Sequence, residues 1–183
     1  MEPREILIAV VLAGALTAAI LLSTRIPREI RDALEGSPNV NYQSSSIRGI
    51  RNNNPGNLRP NSSFTWRGQV GSDEGPGGGY LVFDEPLNGL RASMINLLNY
   101  EKRYGINTPK GIGDRWAPVA DNNPETYGAF LASKIGKGPM DEISVDQYLI
   151  PLMHAITLHE NGIDPYPEDL YEQAARLARS HVG

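Results

Sequence analysis

The chain has no cysteine and little net charge. Its 183 residues include 17 basic and 21 acidic side chains, which leaves a formal net charge of −4. The absence of cysteine excludes disulfide scaffolds, thiolate zinc sites and cysteine nucleophiles, although it does not identify the redox compartment. The small net charge gives no reason to expect a nucleic-acid partner. Any chemistry must therefore use carboxylates, hydroxyls or imidazoles.

The apolar residues are concentrated near the N-terminus. Ile6–Leu22 reads ILIAVVLAGALTAAILL without a charge, which is near the lower limit for crossing about 30 Å of hydrocarbon. A cleaved signal peptide is an alternative, but no small-x-small cleavage site precedes a mature start. A buried core helix is a weaker alternative, because nothing downstream could cover all of its faces. We predict a transmembrane anchor at residues 1–24, whose topology stays open.

A polar stretch separates this anchor from one folded domain. Gly36–Ser46 reads GSPNVNYQSSS and has no periodic apolar pattern, which is typical of a flexible tether. We therefore predict a tether at residues 25–46 and a domain at residues 47–183. Within the domain, a structured loop rich in Asn, Pro and Gly is expected first, followed by a small β-hairpin formed by Phe64–Val70 and Tyr80–Phe83.

Helical patterns dominate the rest of the domain. The first begins at Asp84 with Pro86 in its first turn and runs to about Tyr104, and the second begins at Asn123-Pro124 and stops at Gly136. The third opens with the capping-box spacing of Ser144 and Gln147, is bent by Pro151, and ends at Gly162, and a fourth follows Pro167. The sequence therefore predicts a mainly α domain, in the α+β sense, with one small β-hairpin, preceded by one N-terminal transmembrane helix.

One carboxylate stands out among the candidates for chemistry. Glu160 closes an otherwise apolar helix, IPLMHAITLHENG, and is followed by Gly162 and Pro165. Burial and the negative end of the helix dipole both disfavour its charged form, so a proton would stay available for a leaving group, as a general acid needs. The alternative is that Glu160 only hydrogen-bonds the Asn52–Asn57 loop or the next turn.

The histidines and the large aromatic residues give weaker signals. His154 and His159 are five residues apart, so they do not share a helix face as a metal pair would, and no metal site is predicted. Four aromatic residues suit the apolar faces of sugar rings, although each could equally belong to the core. These are Trp66, Tyr80, Trp116 and Tyr127.

Several segments of the domain resemble, in order, a group of bacteriophage virion structural proteins and related prophage proteins. The segments are GIRNNNPGNLR from Gly49, WRGQVG from Trp66, YLVFDEPLNGLRA from Tyr80, RWAPVADNNPETY from Arg115 and HAITLHENG from His154. The match runs from Gly49 to about Tyr166 and leaves out the predicted membrane segment.

That group is similar in turn to the lysozyme-like superfamily of lytic transglycosylases and glucosaminidases, with the pieces in a different order. In soluble lytic transglycosylases, an apolar helix that ends in Glu-Ser-Gly carries the catalytic glutamate at the start of the domain. Here His154–Pro165 resembles that helix but lies near the C-terminus, with Asn161 where serine is usual. Asn52–Leu58 resembles the segment that normally follows it. A circular permutation of the lysozyme-like fold is our hypothesis, since chain termini often lie close together at the surface.

This resemblance implies a site and a set of partners. Glu160 would be the catalytic acid and base, without a second carboxylate, and neither a metal nor a cofactor is expected. The substrate groove would be formed by Asn52, Asn54, Asn57, Trp66 and Tyr127. The expected partners are peptidoglycan, a lipid membrane and other virion proteins, with the chain anchored in a virion internal membrane or the host cell membrane.

Two other functions stay open. A non-catalytic virion component could keep the fold as a scaffold and use its N-terminal helix in an internal viral membrane or at a vertex. A cellular inner-membrane protein with a periplasmic wall-binding domain is a third alternative. Arg25, Arg28 and Arg31, which follow the anchor, argue mildly against it.

Overall fold

The computed structural model describes residues 41–75, 79–117 and 124–183 of the chain. The predicted anchor at residues 1–24 and the predicted tether up to residue 40 lie outside these ranges. Among the helices that are described, none combines the length and the apolar character needed to cross a membrane.

The described chain is mainly helical and contains one small antiparallel sheet, as the sequence predicted. After a 3-10 turn at Tyr42–Ser44, the elements are α1 (Arg48–Arg51), β1 (Gln69–Ser72), β2 (Leu81–Phe83), α2 (Pro86–Tyr104), α3 (Pro109–Trp116), α4 (Pro124–Ile135), α5 (Leu149–Asn161) and α6 (Glu168–Val182). Helix α2 contacts α5 and α6, while α4 lies between α3 and α5.

The folded unit begins earlier than the predicted boundary at residue 47. It starts at Asn41, and the ring of Tyr42 packs 4.8 Å from that of Tyr166. Both rings belong to the main hydrophobic cluster or lie against it. The last residues of the predicted tether are therefore part of the domain, because an aromatic side chain within the polar stretch has a partner in the core.

The first strand of the hairpin lies later than predicted. β1 pairs with β2 through Gln69 opposite Phe83 and Ser72 opposite Leu81, with an irregularity between Gln69 and Gly71. The backbone N–H of Gln69 donates to the carbonyl of Trp66, which closes a turn just before the strand. The aromatic residues of the predicted strand Phe64–Val70 therefore mostly precede this turn and are not in the sheet.

Helix α2 is surrounded by other elements over its first half. Its residues are buried without interruption from Asn88 to Ile95, a pattern typical of a helix in the centre of a domain. The large apolar side chains of this stretch and the next turn are each at most 2 % exposed: Leu90, Met94, Ile95, Leu97 and Leu98. The helix predicted to run to about Tyr104 is therefore confirmed, and it packs against β2, α5 and α6.

Helix α5 begins later than the capping-box pattern predicted. The N–H of Gln147 does donate to the Oγ of Ser144 at 3.4 Å, but regular helix starts at Leu149. Pro151 consequently lies in the first turn, where a missing N–H breaks no intrahelical hydrogen bond. The expectation that Pro151 bends the interior of the helix is wrong for this reason, whereas the predicted stop at Gly162 is confirmed by its φ of 71°.

Helix α3 is not among the predicted elements. It is capped by Thr108, whose hydroxyl accepts from the N–H of Gly111 at 3.1 Å, and Pro109 occupies its first turn. A Cβ atom at Gly113 would lie only 2.8 Å from the backbone N of Gly128 in α4. The glycines that weaken the helical pattern of α3 therefore allow close contact with α4, and this contact offsets their low helix propensity.

The loop after α1 is held by buried asparagine side chains. The amide of Asn54 donates to the carbonyls of Leu58 and Leu81, each at 2.9 Å, and its Oδ1 accepts from the N–H of Leu58 at 2.9 Å. The amide of Asn53 donates to the carbonyl of Phe83 at 3.0 Å. These bonds replace regular secondary structure for a buried backbone segment.

Replacing Asn54 by alanine should therefore destabilise the domain. Three hydrogen bonds are lost and their buried backbone partners stay unsatisfied, so we expect the free energy of unfolding to fall by about 2–4 kcal/mol. Urea denaturation followed by circular dichroism measures this loss. Asn61→Ala, at an exposed position with one local hydrogen bond, is the matched control and should change stability by less than about 0.5 kcal/mol. Equal effects of the two variants would contradict the role given to Asn54.

Candidate functional site

The Glu160 carboxylate is held between two side chains from different parts of the domain. The hydroxyl of Tyr127 donates to Oε1 at 3.0 Å, and the amide of Asn57 donates to Oε2 at 2.9 Å. Glu160 is the penultimate residue of α5 and is half-buried. The structure therefore brings together Glu160, Asn57 and Tyr127, three of the six residues that the sequence predicted for one site.

The backbone brings Asn57 to the end of α5. Asn57 has a left-handed conformation with φ of 50°, which asparagine tolerates better than most residues. The amide of Asn161 donates to the carbonyl of Pro55 and to that of Thr157, each at 2.8 Å. This side chain thus ties the loop to the last turn of α5. A Cβ atom at Gly49 would collide with the amide oxygen of Asn161, so only glycine allows this approach.

Tyr127 is a permanent hydrogen-bond donor to the carboxylate. Its side chain is fully buried, and this burial, followed by the negative charge of Glu160, raises the pKa of its phenol well above the ordinary value. The phenol therefore stays protonated throughout the physiological pH range. Because its position in the first turn of α4 is fixed by the core, Tyr127 also limits where Oε1 can lie.

His159 completes the surroundings of the carboxylate as a neutral ring. It lies against Tyr127, with ring centroids 3.9 Å apart, and against Phe130 at 5.0 Å. Burial lowers the pKa of the imidazole, and this effect outweighs the opposing influence of the Glu160 charge. His159 therefore packs as an uncharged ring at neutral pH.

In the described part of the chain, no lysine or arginine forms an ion pair with Glu160. The carboxylate is instead oriented by two neutral donors. The arrangement can therefore support single-carboxylate acid and base chemistry.

Two of the predicted groove residues belong to the scaffold. Asn52 and Asn54 are only 5 % and 0 % exposed. The amide of Asn52 donates to Asp73 at 2.7 Å, and that of Asn54 is used by the loop backbone. Their side chains have no free face for a ligand, because an asparagine-rich loop in this protein satisfies its own buried backbone.

The predicted aromatic set is dispersed. Trp66 lines a separate cavity whose lining includes neither Glu160, Asn57 nor Tyr127. The indole N–H of Trp116 donates to the carbonyl of Gly56 at 3.1 Å. This ring therefore stabilises the loop that carries Asn57. Of the four aromatic residues, only Tyr127 contacts the carboxylate.

Sequence reasoning missed the contributions of Asn161 and Gly49. In the sequence, Asn161 stands out only as a departure from the serine of the lysozyme-like enzymes, yet its longer side chain is what reaches Pro55. Two features could have drawn attention to it: the Asn-Gly pair at the end of a helix, and the glycine that opens the asparagine-rich segment. Neither pattern alone identifies which element the amide contacts.

A second polar cluster fixes the segment that follows Glu160. His154 uses one ring nitrogen for Asp164 and the other for Glu168, and its ring stacks on Tyr171 with centroids 3.7 Å apart. The hydroxyl of Tyr171 lies 2.7 Å from Asp164 and 3.0 Å from Thr157. The cluster connects α5, the turn after it and α6, so it holds the C-terminal end of α5 in place.

Comparison with known proteins relates the chain to a bacteriophage protein. No family model matches the sequence. Protein P5 of Pseudoalteromonas phage PM2 is 33 % identical over 155 residues, which cover 84 % of this chain and 87 % of that protein.

The His154 cluster should make stability depend on pH. Burial lowers the pKa of His154, but its hydrogen bonds and charge interactions with Asp164 and Glu168 outweigh burial and raise the pKa overall. The stabilisation is therefore complete below about pH 6.5, the unfolded value, and is lost as the pH rises through the folded pKa. We expect wild type to exceed His154→Gln by about 1 kcal/mol at pH 5.5, discounted for solvent screening.

This difference should shrink steadily toward pH 9. It is measured by urea denaturation of both proteins at a series of pH values. Glu168→Gln, which removes the more exposed of the two carboxylates, should give a shallower dependence. A difference between wild type and His154→Gln that is independent of pH would contradict the charged pairing.

Proposed function

The chain belongs to the family of Protein P5 of Pseudoalteromonas phage PM2, and we propose that it is a virion-associated protein that binds and cleaves the glycan strands of peptidoglycan. The observation that carries this proposal is the Glu160 carboxylate, oriented by Tyr127 and Asn57 at the end of an apolar helix. The proposal includes a lysozyme-like arrangement with permuted chain order.

Glu160 would act first as a general acid. It donates its proton to the glycosidic oxygen as the bond from that oxygen to the anomeric carbon breaks and positive charge develops on the sugar ring. The resulting carboxylate is stabilised by hydrogen bonds from Tyr127 and Asn57, both of which favour the charged form. These donors are fixed before the reaction, so no reorganisation is required when the charge appears.

The same carboxylate would then act as the base. It accepts the proton of the group that attacks the anomeric carbon, which is the muramyl 6-hydroxyl in a transglycosylase and water in a muramidase. Glu160 thereby returns to its starting state without a second carboxylate. The ring of His159, which packs against Tyr127, is neutral and so places no positive charge beside the carboxylate.

Membrane attachment is part of the proposal. It rests on the uncharged run Ile6–Leu22 and is consistent with a chain that works at a viral or host membrane. Other virion proteins would then be its neighbours, and the lipid bilayer would hold the domain near the cell wall during entry.

A non-catalytic virion structural protein is the second candidate. One observation favours it: both Glu160 oxygens already accept hydrogen bonds from the protein, and Asn161 ties the same loop to α5. In this case the carboxylate would be a structural clamp between the loop and two helices, and the domain would bind its neighbours without cleaving glycan.

Glu160→Gln separates these two functions. The amide keeps the size of the side chain but cannot donate and accept the catalytic proton, so we expect release of soluble muropeptides from purified sacculi to fall at least about 100-fold. Glu172→Gln, an exposed position on α6, is the matched control and should retain full activity. Undiminished release by Glu160→Gln would remove Glu160 from the mechanism, and a wild-type protein without any release would favour the structural candidate.

Tyr127→Phe tests the orientation of the carboxylate. Only the hydroxyl that donates to Oε1 is lost, so the rate of muropeptide release should fall about 10-fold, the value of one hydrogen bond to a charged group. Binding to sacculi, measured by co-sedimentation, should stay within about twofold of wild type. Loss of binding together with an unchanged rate per bound molecule would contradict the role proposed for Tyr127.

A further inference from the structure

A second candidate site lies away from Glu160. A cavity of about 340 Å³ opens between α2, the end of α6 and the loop before β1. Its walls carry the arginines Arg67, Arg91 and Arg103, together with His181. Among the residues that the structure describes, no aspartate or glutamate lines it. The cavity is therefore a concentration of positive charge in a chain whose net charge is negative.

Arg91 is the most buried of the three arginines that line this cavity. Its side chain is on α2, where the residue is only 9 % exposed. Within the ranges that the structure describes, no carboxylate and no hydrogen-bond acceptor pairs with it. A largely buried guanidinium without a partner is costly, because it has lost part of its hydration and has no hydrogen-bond acceptor to replace it.

The neighbouring charges increase this cost. Burial, followed by repulsion from Arg67, lowers the pKa of Arg91. Arg103 lies about three turns along the same side of α2, because residues 91, 95, 99 and 103 are spaced by four and all line the cavity. An anion at this position would interact favourably with every one of these cations.

The rest of the lining suits a ligand with a flat apolar part. The rings of Phe64 and Trp66 meet edge to face with centroids 4.9 Å apart, and Ile95 lies on the same wall. Phe64 is 46 % exposed, so part of this lining residue is accessible to a ligand. The Oδ1 atom of Asn99 is buried and has no partner among the described residues, which offers an acceptor for a ligand hydroxyl or N–H.

We propose that this cavity binds a phosphate monoester that carries a ring or another flat apolar group. Arginine suits phosphate because its planar group donates two parallel hydrogen bonds to one oxyanion. Three arginines exceed the single charge of a carboxylate and match the roughly −1.5 to −2 charge of a phosphate monoester at neutral pH. The aromatic wall would hold the organic part, and the site is independent of the function proposed for Glu160.

The binding is tested with the full-length chain and two probes, inorganic phosphate and phenyl phosphate, at constant ionic strength adjusted with sodium chloride. We expect both probes to raise the midpoint of thermal unfolding, since a ligand that binds only the folded state stabilises it. In isothermal titration calorimetry, phenyl phosphate should bind about 10-fold more tightly than inorganic phosphate, because its ring packs on the aromatic wall. Benzoate, with the same ring and one charge, should bind more weakly than phenyl phosphate.

Arg91→Met gives the decisive signature. Affinity for phenyl phosphate should fall at least about 10-fold, the value of a charge-assisted hydrogen bond. At the same time the unfolding midpoint without ligand should rise by a few degrees, about 4 °C or less, because an unpaired buried charge has been removed. Arg176→Met, on the exposed face of α6, is the matched control and should bind like wild type.

Two results would overturn the proposal: wild type that binds neither phosphate probe, or Arg91→Met that binds phenyl phosphate as wild type does. Should Arg91→Met fail to fold, Arg103→Gln replaces it, because Arg103 is exposed and its substitution leaves the core intact. Unchanged affinity of Arg103→Gln would then overturn the proposal. Stronger or equal binding of benzoate would reassign the cavity to carboxylates.

Discussion

The contact on which the rest of the site depends is the hydrogen bond from the amide of Asn161 to the carbonyl of Pro55. Helix α5 ends at Asn161. Among the described residues, the other hydrogen bonds between the Asn57 loop and this helix end run from Asn57 to Glu160. By also donating to the carbonyl of Thr157, the same amide satisfies one of the carbonyls that a helix C-terminus leaves free. A single side chain therefore finishes the helix and docks the loop, which fixes the distance from Asn57 to Glu160.

The loop can be docked in this way only because its own backbone is already satisfied. Asn53 and Asn54 bind the carbonyls of the hairpin and of Leu58, so the segment has the rigidity of a strand without its regular pairing. Rigidity matters here, because a carboxylate keeps one orientation only when the groups that donate hydrogen bonds to it are themselves fixed. The scaffold role of the buried asparagines and the orientation of Glu160 are thus two parts of one arrangement.

The sequence indicated the elements whose physics is local. Apolar periodicity and terminal glycines such as Gly162 predicted four helices, and the end of the apolar helix singled out Glu160. What it did not indicate depends on distant partners. Helix α3 contains glycines whose low helix propensity is offset by contact with α4. Asn54 resembles a substrate-binding residue until its carbonyl partners are known. Arg91 is an ordinary polar residue of α2 in the sequence, and its burial is visible only in the structure. Tertiary context decided each of these cases.

The two sites treat charge in opposite ways. At Glu160 the protein supplies both donors itself, so the position of the carboxyl group is set before any ligand arrives. At Arg91 the protein supplies like charges and an apolar wall, so a bound anion would reduce the repulsion between these charges. A ligand that binds only the folded state raises the free energy of unfolding. We therefore expect an anion in the arginine cavity to stabilise the domain, because it would reduce charge repulsion there. The Glu160 site is already organised in the free protein.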